Sequence, residues 1–324
     1  MSALNKDLYW SIKAMAKELS FADFGSAPAG PVSQLCRNSY NKALENGYFA
    51  GMHYLNNNLE KRFNPTLLVE GATTVLVFLA PYSLPDNLTP PAGISQYALG
   101  QDYHNIIKGK LFKIMEFLAD EYKDFQGRAF TDSAPVMERE WAVKAGLGFI
   151  GKNNFLVSKS CGIKNFIGVI ICNAPVPATM EMEPHKQQET CAECGDCQRC
   201  LQGCPTGALC APYRIDARRC ISYHTIENRD LETSLKNGEI RSLHGKIFGC
   251  DNCSNACPWN SRNLPGWEEF RSHYEDLQGK KTEWWENLTE EEFKKIFKDS
   301  PLLRGGLKNI RTALKWGIKW KGDE

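Results

Sequence analysis

The sequence lacks any run of eighteen apolar residues, the least that crosses a bilayer as a helix, so no transmembrane segment is expected. Its first twenty residues, MSALNKDLYWSIKAMAKELS, alternate charged with apolar positions and lack a continuous apolar stretch. They are therefore expected not to form a signal peptide, and the expected compartment is the cytoplasm. An excess of one charge is missing too. The 39 Lys and Arg against 38 Asp and Glu leave a net charge of +1, so a globally basic nucleic-acid binder is not indicated and any such contact must be a local patch. No internal repeat is visible beyond two clusters of cysteine.

Cysteine is what the chain has in abundance. Ten of its thirteen cysteines fall between Cys191 and Cys257, and in a reducing compartment such a group points to metal or redox chemistry rather than disulfides. Cys194-x2-Cys197-x2-Cys200-x3-Cys204-Pro205 has the spacing of the bacterial ferredoxin run. Two-residue spacers let one loop wrap three iron corners, and the proline turns the fourth thiolate toward a second cluster. Cys250-x2-Cys253-x3-Cys257-Pro258 is a partial copy that lacks its opening cysteine, and Cys220, thirty residues upstream, is the candidate replacement. The pairing rule assigns Cys194, Cys197, Cys200 and Cys257 to one 4Fe-4S cluster, and Cys204, Cys220, Cys250 and Cys253 to the other. A pair of zinc sites is the alternative, since CxxC pairs also suit tetrahedral zinc. Cys36, Cys161, Cys172, Cys191 and Cys210 are expected to be packing thiols.

The 324 residues exceed the usual size of a single core, and 42% hydrophobic with 24% charged residues is ordinary for two or three compact units. Leu8, Ile12, Met15 and Leu19 recur at helical spacing and predict a helix from Leu4 to Leu19. Ile107, Leu111, Ile114, Met115 and Leu118 predict another from Tyr103 to Tyr122. ATTVLVFL (Ala72 to Leu79) and FIGVIIC (Phe166 to Cys172) read as buried strands. The expected fold class is α+β: an N-terminal layered α/β domain over 1–175, a two-cluster ferredoxin-like domain over 176–262, and a short helical C-terminus over 263–324. Asn173 to Thr190, rich in Pro, Met, Glu and Gln without periodicity, is expected to be a linker. Near the end, Lys308, Arg311, Lys315 and Lys319 share one helical face opposite Ile310, Leu314 and Ile318. That face is a candidate phosphate contact, and a merely solvated face is the alternative.

Gly146-Leu-Gly148-Phe-Ile-Gly151 fits GxGxxG, but the helical-looking EREWAVKA precedes it where a dinucleotide fold needs a strand. Its glycines are expected instead to let backbone pass close to a neighbouring element or a large ligand.

TDSAPVMEREWAVKAGLGFIGKNN (Thr131 to Asn154), EKRFNP (Glu60 to Pro65), GQDYH (Gly100 to His104), CPTGAL, RCISYHTIEN and FGCDNCSNACPWN, taken in order, cover nearly the whole chain and resemble the epoxyqueuosine reductase family. The resemblance implies a cobalamin-dependent enzyme that reduces epoxyqueuosine to queuosine at the tRNA wobble position, with electrons relayed by two 4Fe-4S clusters. It makes the N-terminal domain the cobalamin-binding one and Asp132 the catalytic acid. It also puts Arg62, Asp132, Leu156, Ser222 and Asp251 at or beside cobalamin contacts. Taken alone, Asp132 reads equally as an N-cap or turn residue before Pro135. Asp102-Tyr-His104-Asn-Ile-Ile107 is the nearest approach to the DxHxxG cobalamin-ligand motif and has Ile where Gly is required, so no histidine ligand of that type is expected. The sequence ends soon after the basic helix, without the helical-repeat extension of longer members, which leaves the extent of the RNA footprint open.

Opening an epoxide develops negative charge on oxygen and needs a proton donor, and Asp132 suits that task if burial keeps it protonated near neutrality. Implied partners are tRNA carrying epoxyqueuosine and a reducing protein or small electron donor whose identity the sequence does not reveal. The competing classes are a cobalamin-dependent reductase of a small molecule and a plain iron-sulfur electron carrier.

Overall fold

In the computed structural model, which describes residues 3–183 and 191–320, the two expected buried strands lie side by side at the centre of an antiparallel sheet. Strands β1 (Asp23–Pro28), β2 (Thr74–Pro81), β3 (Gly127–Phe130) and β6 (Asn165–Cys172) run in the order β1-β2-β6-β3. Between β3 and β6 in sequence, β4 (Phe149–Ile150) and β5 (Leu156–Val157) form a small hairpin. All eight residues of β2 are buried because both faces of the sheet are covered. Leu76, Phe78 and Ile170 pack against Tyr9 and Ile12 of helix α1 (Ala3–Glu18). Helices α2 (Gln34–Glu45) and α3 (Leu59–Phe63) follow β1, and Ile107, Leu111 and Ile114 of helix α4 (Tyr103–Glu121) cover the same face as α1. Val75, Val77, Val169 and Ile171, one residue out of step, pack on the other face with Trp141 and Ala142 of helix α5 (Glu138–Lys144). This is the two-residue period of a strand expressed in a sheet sheltered on both sides.

The chain beyond Pro258 is not a separate helical appendage. Trp267 and Phe270 belong to the sheet's core. Gly100 shows how closely this segment approaches, since a Cβ there would stand 2.2 Å from the Glu269 carbonyl oxygen. Leu84, Ile94, Ala98 and Leu99 leave the sheet and share a second core with Trp285, Phe293, Phe297, Leu302, Leu307 and Ile310. The unit expected over 263–324 is thus stitched to the first by apolar residues whose partners lie far off in sequence.

The expected linker is also shorter than its composition suggested. Ser26 donates to the Pro177 carbonyl at 2.5 Å, and Tyr9 and Lys13 both reach Glu183 at 2.5 Å. Residues up to Glu183 therefore pack on α1 and β1, and 184–190 lie outside the described residues. No helix among the described residues is long and apolar enough to cross a membrane.

Candidate active site and cluster-binding cysteines

The cysteines sort into two neighbourhoods. Burial raises the Cys257 thiol, and Cys194, Cys200 and Cys197 raise it further. Burial likewise raises Cys253, with Cys220, Cys250 and Cys204 adding to it. Each run thus places its last cysteine beside the other run's group. A cluster of buried thiols in which each disfavours its neighbours' ionisation is stabilised as thiolates only by a cation. Among the described residues, no group of three His, Cys, Asp or Glu side chains is arranged to hold a single metal ion. Of the expected packing thiols, Cys161 and Cys172 are buried and Cys36 is half-buried. Cys210 is the exception, being exposed with its sulfur 3.6 Å from the Arg214 carbonyl oxygen. The Cys191 side chain lies outside the described residues.

The glycine motif builds the wall of the first neighbourhood. Gly148 has φ of 151°, and a Cβ on it would stand 2.1 Å from the Val157 carbonyl oxygen. Only glycine lets the β4–β5 hairpin close there. The hairpin sends Phe149 and Val157 against Cys194, Cys257 and Trp259. At its tip Lys152 donates to the carbonyls of Gly195 and Cys197 at 2.6 and 3.0 Å. Asn153, 3% exposed, donates to the Cys253 carbonyl at 3.2 Å. One two-residue step therefore holds both cysteine loops in register. The sequence reading missed Lys152 and Asn153, although they lie inside the Thr131–Asn154 block.

Asp132 stands in the loop after β3 with φ of 51°, a left-handed conformation that costs a non-glycine residue roughly 1–3 kcal/mol. Three contacts offset that cost. Tyr103 donates its hydroxyl to Asp132 Oδ2 at 2.5 Å, the Asp132 amide donates to Glu138 Oε1 at 2.5 Å, and the preceding Thr131 hydroxyl donates to the Ile167 carbonyl at 2.9 Å. Asp132 is a turn residue, as its sequence alone allowed, and also a side chain aimed by its neighbours. It is exposed rather than buried, contrary to the expectation. The strongly shifted carboxyl is that of Glu138, which burial, aided by the Asp132 charge, pushes up to about 8.

The surroundings of Asp132 reach across the chain. Burial raises the Tyr97 phenol, and Asp132, Asp251 and Glu227 raise it further; its ring lies 6.3 Å from that of Tyr103, which holds Asp132, and 6.2 Å from that of Phe248, two residues before Cys250. Tyr54 also feels Asp132 and stands 3.5 Å from Glu227, which Arg304 grips at 2.6 and 2.7 Å. Asp102 and His104, the incomplete DxHxxG match, are an N-cap pair on α4. Burial pushes the Asp102 carboxyl up, but hydrogen bonds from the His104 ring and amide outweigh it and hold it below the usual range.

The other expected contacts divide. Arg62 is 9% exposed, lies 5.6 Å over the Tyr40 ring, and has a buried Nε without a hydrogen-bond partner. Ser222 hydrogen-bonds the Cys220 thiol through its amide and hydroxyl. Asp251 accepts from the Ser95 hydroxyl at 2.5 Å and the Gln96 amide at 2.8 Å, so it anchors the turn that carries Tyr97. Leu156 is 6% exposed, packs in the core and pairs with Ile150 in the β4–β5 hairpin.

The basic helix needs a correction. Within Leu302–Trp320, Gly306 has φ of 75° and interrupts the helical backbone. Arg311 does not face solvent with Lys308 and Lys315, which are exposed. Its guanidinium donates to the carbonyls of Trp285 and Glu286 at 2.9 Å each and also to that of Leu288, satisfying the C-terminal end of the helix Thr282–Asn287. The Lys319 side chain lies outside the described residues.

Residues 62–133 match the epoxyqueuosine reductase QueG domain (DUF1730), and residues 193–260 match a 4Fe-4S double cluster binding domain. An epoxyqueuosine reductase of Cellulophaga algicola is 37% identical over 94% of this chain and 97% of its own length. That of Pseudomonas aeruginosa is 36% identical over 94% of this chain and 84% of its own. Among solved structures, the epoxyqueuosine reductase of Streptococcus thermophilus superposes with a TM-score of 0.78 at 25% identity, covering 97% of this chain and 86% of that one. Another, solved with an epoxyqueuosine-modified tRNA stem loop, has a TM-score of 0.81 at 24% identity over 96% and 81%. By fold, by the order of its motifs and by sequence along nearly its whole length, this oxidoreductase belongs to the epoxyqueuosine reductase family.

Proposed function

We propose that the chain reduces the epoxide of epoxyqueuosine at the tRNA wobble position to queuosine in the cytoplasm. In this reading two 4Fe-4S clusters sit on the eight cysteines, a cobalamin lies between the sheet and the cysteine loops, and electrons come from a separate reducing protein or small donor. The observation that carries it is the series of contacts from Asp132 to the Tyr103 hydroxyl, from the Tyr103 ring to that of Tyr97 at 6.3 Å, and from the neighbouring Gln96 amide to Asp251, which leads from the candidate proton donor to the Cys250–Cys253 loop.

The donor sets fit the two kinds of cofactor. The two groups of four neighbouring thiols, within residues that match a 4Fe-4S double cluster binding domain over 193–260, support four-iron cubanes. The buried Arg62 Nε, aimed where no protein acceptor meets it, supports an acceptor-rich group such as a corrinoid. When bound, cobalamin supplies a metal centre that passes the clusters' electrons to the epoxide carbon. In that scheme Arg62 and the backbone at Leu156 hold it, and Ser222 and Asp251 keep the adjoining cysteine segments in place.

The chain's own residues handle the protons. Reduction of an epoxide to an alkene takes two electrons and two protons and releases water. Asp132, exposed yet fixed by Tyr103 and Glu138, delivers a proton to the oxygen as the C–O bond breaks. RNA recognition of an unpaired base suits an exposed acid on a loop, since the nucleotide has to be splayed out to reach it. The test is substrate competition. Reconstituted protein should act on tRNA carrying epoxyqueuosine and leave halogenated aromatics untouched, and the reverse preference would replace this reading with a small-molecule reductase.

A further inference from the structure

Lys152 and Asn153 are neighbours at the tip of the β4–β5 hairpin, yet they hold the two cysteine loops with groups of unlike charge. Lys152 is half-buried, and its ammonium donates to the carbonyls of Gly195 and Cys197 at 2.6 and 3.0 Å. Asn153 donates a neutral amide to the Cys253 carbonyl at 3.2 Å, while its own oxygen accepts the Phe155 amide at 3.2 Å. Resting on the two-cluster reading, we infer that Lys152 makes the two cluster sites electrically unequal. Its ammonium fixes the Cys194–Cys197 loop and sets one positive charge beside the first cluster, which thereby takes up an electron more readily than it would without that charge. Lys152 is a positioning residue that acts through the loop's carbonyls, not a ligand.

The hairpin leaves Lys152 little freedom. Its carbonyl accepts the Tyr213 amide at 2.9 Å, and the preceding Gly151 amide donates to the Phe155 carbonyl at 2.9 Å. Phe149 and Val157 of the same hairpin pack with Cys194, Cys257 and Trp259, so the element that aims the ammonium also walls the first group. The other charges near the loop face water. Glu193 and Asp196 lie on it but are exposed, and Glu193 pairs with Lys159 at 3.3 Å. Arg199 is exposed as well, and the exposed Arg262 donates to the Lys159 carbonyl at 2.9 Å. Solvent and salt screen such charges, whereas a cation set between hairpin and loop is screened much less. Local net charge and hydrogen bonding set the potential of a four-iron cluster, and a fixed cation favours the state with one more electron. The step is an electron alone: one arrives from the separate donor, the site becomes more negative by one, and no bond or proton moves. Cys250 and Cys253 flank Asp251, on the loop that leads toward Asp132. That leaves the first group as the entry end of the path, and Lys152 as the residue that eases entry.

Potentiometric titration of the reconstituted protein, followed by electron paramagnetic resonance, tests the charge. K152Q keeps a hydrogen-bond donor without the charge, and K152R keeps both. The first cluster is recognised as the signal that C200S abolishes. In K152Q its oxidised-to-reduced ratio at a fixed potential should move about tenfold toward the oxidised form, equal to roughly 59 mV for a one-electron couple. The second cluster should move much less, and K152R should restore the wild-type midpoint. A first-cluster midpoint unchanged in K152Q, or an equal shift in both clusters, overturns the inference. Amide hydrogen exchange of the reconstituted protein tests the hold on the loop. K152M, which has neither charge nor donor, should speed exchange over 194–200 and leave 250–253 slow, and N153A should do the reverse. Faster exchange over both segments in each variant would make the two residues a common support of the fold and overturn the inference. Wild-type protein that takes up zinc, or far fewer than about eight irons, would sink the two-cluster reading instead, and the exchange pattern would still decide whether Lys152 holds its loop.

Discussion

Tyr103 and Asp132, 29 positions apart, meet at 2.5 Å, the phenol donating to the carboxylate. The Tyr103 ring is stacked between His104 at 4.2 Å and Phe166 at 4.1 Å, so the donor is fixed before any substrate arrives. Asp132 is the acid and Tyr103 aims it, and substitutions separate the two. D132N should retain iron and cofactor binding while single-turnover reduction falls by a factor on the order of a hundred to ten thousand, the usual contribution of a general acid. Y103F, which loses one hydrogen bond to a charged group, should cost roughly ten- to a hundredfold. Equal losses in the two variants would mean that Tyr103 does more than aim the acid.

Glu138 makes folding stability depend on pH in a stated direction. Its folded pKa lies above its unfolded value, at about 8 against 4.5. Its neutral form therefore favours the fold below pH 4.5, and that contribution is lost as pH rises through the folded value. Denaturant unfolding of the wild type and E138Q should diverge across pH 5 to 8, with the glutamine variant gaining relative stability by on the order of 1 kcal/mol per pH unit. Parallel stability curves would place Glu138 in a more polar environment than the fold indicates.

The cysteine groups are separable by spectroscopy. C200S and C257S, 57 positions apart in sequence, should disturb one electron-paramagnetic-resonance signal of the reconstituted protein, and C220S and C253S the other. Reconstituted wild-type protein should carry about eight irons. Signals that followed sequence order, with Cys257 grouped with Cys253, would contradict the crossed arrangement.

Arg311 and the lysines of the last helix should part company. R311Q removes donors from three backbone carbonyls, and it should lower stability by about 1 kcal/mol, as expected for partly buried acceptors that water reaches in part. K308Q and K315Q, at exposed positions, should leave stability unchanged. Together the two should weaken tRNA binding and reduce its salt slope by somewhat less than one unit per contact. An unchanged slope in the double lysine variant would move the RNA footprint off this helix.

What was legible in the sequence follows from how each feature is encoded. Strands β2 and β6 and helices α1 and α4 were visible because their burial is written into continuous or periodic apolar residues. Strand β1, with the sequence DFGSAP, carries Gly, Ser and Pro, and is a strand only because β2 pairs with it. The two cysteine groups were legible from spacing and the pairing rule. Lys152 and Asn153 were not, since a lysine that holds a cysteine loop looks like any surface lysine until the loop is placed beside it. Arg311 went astray for a similar reason: helical periodicity reports the face of its own helix and is blind to the carbonyls of the helix Thr282–Asn287 lying against it. The half-burial of Glu138 and the exposure of Asp132 depend on α5 and the loop after β3 being folded together, and no local pattern contains that.

The most direct measurement of the central claim is nucleoside analysis of tRNA carrying epoxyqueuosine after anaerobic incubation with the reconstituted protein, cobalamin and a low-potential reductant. The expected result is queuosine, lighter by one oxygen atom, formed by the wild type and abolished by omitting cobalamin or by D132N. Epoxyqueuosine recovered intact, from protein shown to carry its full iron and corrinoid, would contradict it.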